Sequence, residues 1–124
     1  MTHKPPLVSV VDDDESVRES LPDLLTAFGF TAQAFSSAEE FLALKNIGHT
    51  SCLILDIAMP GMTGLDLQRE LKIRGHKIPI IFITAQKDEA VRARGFEQGA
   101  AESLLKPFSD TALLAALNTA LGVN

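Results

Sequence analysis

Cys52-Leu53-Ile54-Leu55-Asp56 is an apolar run that stops on a carboxylate. A short apolar run without polar alternation fits a strand buried on both faces, as in a parallel sheet lying between helices. Two other segments have the same character. Leu7-Val8-Ser9-Val10-Val11 leads into Asp12, Asp13 and Asp14, and Ile80-Ile81-Phe82-Ile83 ends on Thr84. Thr31–Phe35 reads as a weaker strand nearer an edge. Ser103–Leu105 reads as a short one, followed by Lys106-Pro107-Phe108.

The intervening segments carry helical signals. Glu15–Phe28 places Val17, Leu21, Leu24, Leu25 and Phe28 on one face, and Gly29 ends it. Pro22 inside this segment removes a backbone donor and predicts a kink or local break. Ser37–Asn46 opens with Ser-Ser-Ala-Glu-Glu, where Ser36 with Glu39, or Ser37 with Glu40, can form a capping box. Gly64–Arg74 follows a turn-rich loop. Asp88–Gln98 is polar and weakened by Gly95. Asp110–Leu121 comes last, with Ser109 or Asp110 as N-cap.

Alternation of strands and helices predicts an α/β fold: a doubly wound, five-stranded parallel sheet in three α/β/α layers. Right-handed crossovers restrict the topology. In the order 2-1-3-4-5, the first and third strands flank the switch point, where ligands bind beyond the carboxyl ends. Asp12–Asp14 and Asp56 belong to those two strand ends. The 124 residues form one expected domain, 1–124, with no output domain in this chain.

Composition narrows the classes. Hydrophobic residues at 46% and charged residues at 22% fit a globular chain. A net charge of −5 and the lack of a basic run argue against direct nucleic-acid binding. Cys52 has no internal disulfide partner and reads as a small core residue. The first residues lack the apolar stretch of a signal peptide, and no apolar run is long enough to span a bilayer. A cytoplasmic location without a membrane is the expectation.

Carboxylates gathered at one sheet edge repel one another. Two unit charges about 4 Å apart interact by roughly 4 kcal/mol at an effective dielectric near 20. Lys106 supplies one positive charge, too few for Asp12, Asp13 and Asp56. A donor set made of oxygen favours a hard divalent ion, Mg²⁺ or Mn²⁺. The acidic first turn also counts against a flavodoxin-like cofactor enzyme, whose phosphate loop is donor-rich. The chain has no Trp or Tyr to flank a flavin.

Val10-Val11-Asp12-Asp13, Asp56-Ile57-Ala58-Met59-Pro60-Gly61-Met62-Thr63-Gly64, Phe82-Ile83-Thr84-Ala85 and Lys106-Pro107-Phe108 resemble the receiver domain of bacterial two-component response regulators. The stretch Asp12-Asp13-Asp14-Glu15-Ser16-Val17-Arg18 and the ending Lys106-Pro107-Phe108 resemble most the nitrogen-fixation regulators. The match spans essentially the whole chain and implies a flavodoxin-like receiver fold. It implies that Asp56 is the phosphoacceptor for a sensor histidine kinase or phosphotransfer protein, and that phosphorylation alters binding of a downstream protein. Mg²⁺ would be held by Asp13, Asp56 and the backbone carbonyl of Ala58, with Asp12 acting through water. Thr84 and Lys106 would contact phosphoryl oxygens, and the Lys106-Pro107 peptide would be cis. Such a domain assists its own phosphorylation without being a conventional enzyme. It would be a monomer or a phosphorylation-dependent dimer. The alternative is a receiver-like adaptor that acts without phosphorylation.

Three positions qualify the resemblance. Ser103 stands where the family usually has an aromatic ring coupled to the threonine, so that coupling is expected to be muted or different. Ala58 and Gln86 occupy positions that flank the path of attacking water, and Ala58 predicts a long-lived phosphoryl group. Elsewhere, Met59 and Met62 read as packing or turn residues, and His3, His49 and His76 as surface groups. Asp66 and Glu70 read as a solvated face, and Asp14 as an exposed acid at a helix start.

Overall fold

The computed structural model describes residues 4–85 and 89–122. Its strands are β1 (Leu7–Val11), β2 (Thr31–Phe35), β3 (Cys52–Asp56), β4 (Ile80–Thr84) and β5 (Glu102–Leu105). All pairings are parallel, in the order β2-β1-β3-β4-β5. The expected sheet and strand order are therefore present. The helices are α1 (Glu15–Ala27), α2 (Ala38–Leu42), α3 (Gly64–Ile73), α4 (Glu89–Glu97) and α5 (Asp110–Leu121), with a 3₁₀ turn at Ile47–His49.

The sheet divides the core in two. Val8, Val10, Cys52, Ile54, Ile81 and Ile83 pack with Leu21 and Leu25 of α1 and Leu113 and Leu117 of α5. On the other face, Val11, Leu53, Leu55 and Phe82 pack with Phe41 of α2 and Leu67 and Leu71 of α3. The central strands β3 and β4 are buried at every position, which is why their sequences do not alternate. Cys52 is fully buried, and burial pushes its thiol up to about 12.

Several local expectations change. Helix α1 runs unbroken through Pro22, so of the expected kink or local break the break is absent. Leu21 and Leu25 are buried on either side of the proline, and this packing outweighs one lost backbone bond. Helix α2 ends at Leu42, well before Asn46. Ser37 caps it by accepting from the Glu40 amide at 3.0 Å, while the Glu40 carboxylate accepts from the Ser36 hydroxyl. Asp66 is a structural acid: with Thr63 it closes a full capping box at the start of α3. Those bonds hold its carboxyl below the usual range. Glu70 pairs with Arg74 at 3.0 Å.

Gly95 is the buried residue of α4, and a Cβ there would sit 2.8 Å from the Phe82 ring. The glycine that lowers helix propensity is what lets α4 approach the sheet. Met59 is buried and Met62 half-buried, both in packing positions. His49 is exposed and His76 half-buried. His3, Gln86 and Asp88 lie outside the described residues. Among the described residues no helix is long and apolar enough to cross a membrane.

Candidate phosphoacceptor and metal site

Register builds the site. Val10 pairs with Ile54 and Val11 with Leu55, so one further step along both strands sets Asp12 beside Asp56. On the other side Asp56 pairs with Ile83, and Thr84 pairs with Leu105. The Lys106 amide donates to the Thr84 carbonyl at 2.8 Å, which brings the Lys106 side chain to the same edge. The Lys106-Pro107 peptide is cis.

The loop after β3 is held against α3. The Gly64 amide donates to the Ile57 carbonyl at 2.9 Å. A Cβ on Gly64 would lie 2.5 Å from the Asp56 carbonyl oxygen, so only glycine permits this approach. The backbone under Asp56 is therefore fixed by a contact that the sequence showed only as the last residue of a motif.

Asp12 is fully buried, Asp56 is 5% exposed and Asp13 is exposed. One oxygen from each of the three carboxylates lies within 4.8 Å of the others. Lys106 Nζ is 2.7 Å from Asp12 Oδ2 and 3.9 Å from Asp56 Oδ1. Asp12 is further tied by the Asp14 amide, which donates to its Oδ1 at 2.9 Å. Arg18 donates to the Asp12 backbone carbonyl at 3.0 Å, a contact the sequence did not single out. Asp14 is exposed and is the N-cap of α1, as its position implied; the Ser16 hydroxyl and amide hold its carboxyl low.

Burial raises the Asp56 carboxyl, Asp12 raises it further, and Lys106 only partly offsets them, leaving it near 7. Partial burial pulls the Lys106 ammonium down. The bond to Asp12 and the nearby charges of Asp56 and Asp12 outweigh that, and its net shift is upward. One ammonium thus serves two buried carboxylates, and its shorter contact is to Asp12. The remaining negative charge, with three oxygens converging from Asp12, Asp13 and Asp56, fits a hard divalent cation. Ala58 is exposed two residues past Asp56 and lines a cleft with Ile57, Thr84 and Ser103.

The chain matches known proteins over nearly all its length. The family described as the response regulator receiver domain matches residues 8–118. Response regulator protein TodT of Pseudomonas putida is 40% identical over 121 residues, covering 98% of this chain and 53% of that protein. Transcriptional regulatory protein FixJ of Azorhizobium caulinodans is 39% identical over 115 residues, covering 93% and 54%. The crystal structure of FixJ-N superposes with a TM-score of 0.87 at 36% identity, over 97% of this chain and 96% of that one. The chain spans about half the length of these curated relatives.

Proposed function

The chain belongs to the response regulator receiver domain family, and from that premise we propose that it is a phosphorylation-controlled signalling switch in which Asp56 is the phosphoacceptor. The observation that carries this reading is the convergence of Asp12, Asp13 and Asp56 with Lys106 at the carboxyl edge of the sheet.

The donor is a phosphohistidine of a sensor kinase or phosphotransfer protein. The Asp56 carboxylate attacks phosphorus, the P–N bond breaks, and the imidazole leaves with the electron pair and takes up a proton. Asp56 must be ionised to attack, yet its burial and the neighbouring Asp12 favour its proton. Asp13, Asp56 and the Ala58 carbonyl would hold Mg²⁺ or Mn²⁺, with Asp12 acting through water. When bound, that ion supplies the positive charge that keeps the carboxylates ionised and screens the incoming phosphoryl oxygens. Lys106 lies between Asp12 and Asp56, so its ammonium can follow a phosphoryl oxygen while Asp12 keeps it in place. Thr84 ends the adjacent strand and offers a hydroxyl to a second oxygen. Phosphoryl transfer depends on such placement and charge compensation more than on covalent help from the protein.

The phosphorylated domain then changes its affinity for a downstream protein. Ala58 provides no side-chain group to orient attacking water, so the phosphoryl group is long-lived, and a half-life of seconds would contradict this. Ser103 makes the structural response at the α4–β5–α5 face smaller than an aromatic residue would. Incubation with acetyl phosphate and Mg²⁺, read by intact mass, tests the function. Wild type should gain one phosphoryl group and Asp56→Ala none. A wild-type chain that stays unmodified would favour an adaptor that binds its partner without phosphorylation.

A further inference from the structure

A cleft of about 620 Å³ opens beside the carboxylate site, between the start of α3, the ends of β4 and β5, and helix α4. Its volume falls within the roughly 300–1,000 Å³ of small-molecule sites. The phosphoryl chemistry uses only its margin, at Ala58 and Thr84.

The walls differ in character. Leu65 and Val91 provide apolar lining, and Leu105, 40% exposed, provides apolar surface that lacks cover. Arg69, Arg92 and Arg94 supply cations. Arg69 lies 3.9 Å from Asp66 and Arg92 lies 3.5 Å from Glu89; both pairs are exposed and weak. Arg94 makes no ion pair among the described residues. Ser103, half-buried in the β5 wall, is small enough to leave the space open.

We propose that this cleft is a binding site for a small organic acid with a compact apolar body. The carboxylate pairs with Arg94, and the body covers Leu65, Val91 and Leu105. Apolar walls with Arg94, a cation outside the ion pairs of the described residues, fit an amphipathic anion better than a neutral or cationic ligand. Ligand there would lie against Thr84 and Ala58, which line the cleft. Binding itself does not depend on Asp56 being phosphorylated.

The probe is 2-naphthoate, with neutral 2-naphthylmethanol as its control, titrated separately into ¹⁵N-labelled chain and followed by amide shifts. Naphthoate should give saturable shifts at Ile57, Val91 and Ser103, with the alcohol about fivefold weaker, as expected for one partly exposed charge contact. Arg94→Gln should weaken naphthoate by a similar factor and leave the alcohol unchanged. Ser103→Phe, checked for a native circular-dichroism spectrum, should abolish both. The proposal is overturned by an absence of saturable shifts, by shifts that map elsewhere, by equal binding of the two probes, or by full binding in Ser103→Phe.

Discussion

Strands β1 and β3 and the segments that flank them carry two buried polar clusters, one near each end of the sheet. At the foot, the Ser9 hydroxyl meets the Thr50 hydroxyl at 2.8 Å and accepts from Gln33 Nε2 at 2.9 Å. Every group there is neutral and partnered. At the head, three carboxylates converge, one ammonium serves the two buried ones, and burial together with Asp12 pushes Asp56 toward its protonated form. The foot is polar in a way that helps specify the fold. The head is polar in a way that opposes it until charge arrives from outside. Removing polarity should therefore harm the foot and relieve the head.

The largest effect concerns the backbone that supports the head. Gly64→Ala forces a Cβ against the Asp56 carbonyl and should destabilise the chain by about 3 kcal/mol in urea unfolding, the upper end of the usual cost of overpacking because the atom met is backbone. It should also slow phosphorylation, because the displaced atom belongs to the acceptor residue. Unchanged stability would mean that this loop yields easily and that the head is not pre-organised.

Asp56→Asn, in contrast, should stabilise the metal-free chain at pH 8 by about 2 kcal/mol. The gain depends on pH. Folded Asp56 keeps its proton up to about 7, whereas the unfolded carboxyl loses it near its ordinary value of 3.8. The folded state thus binds more protons in that window, and this group's contribution to stability falls as pH rises from about 4 to about 7. The advantage of Asp56→Asn should be absent below that window and full above it. An advantage independent of pH would assign the effect to packing instead.

At the foot the sign reverses. Thr50→Val should destabilise by about 1–2 kcal/mol, with Gln33 still bonded to Ser9 and limiting the loss. A neutral or stabilising result would erase the distinction between the two clusters. A smaller effect comes from the cation. Mg²⁺ at ten times its Kd should add about 1.4 kcal/mol to the wild type, and much less to Asp13→Ala or Asp56→Ala. Equal stabilisation of all three would place the ion elsewhere.

The head was legible in the sequence because its acids and lysine sit at the ends of apolar runs, and parallel pairing brings such ends to one edge. The core strands were legible for the same reason: burial on both faces removes alternation from β1, β3 and β4. Features that depend on tertiary contact were not. Pro22 looked disruptive because its cost is local and its compensation, the packing of Leu21 and Leu25, is not. Gly95 looked like a weakness in α4 because the Phe82 ring it accommodates is distant in sequence. Asp66 looked solvated, although Thr63 three residues earlier was a readable capping signal. Ser103 was visible as a departure from the family pattern, but the cleft it leaves open needs walls from four elements and the loop after β3.

The central claim is that the charge-crowded head is a phosphoacceptor site, and the direct measurement is where the phosphoryl group lands. After acetyl phosphate treatment with Mg²⁺, borohydride reduction and peptide mapping should convert Asp56, and only Asp56, to homoserine, with no conversion when the ion is chelated. Reduction at another acid, or none at Asp56 under conditions that phosphorylate the chain, would contradict the account.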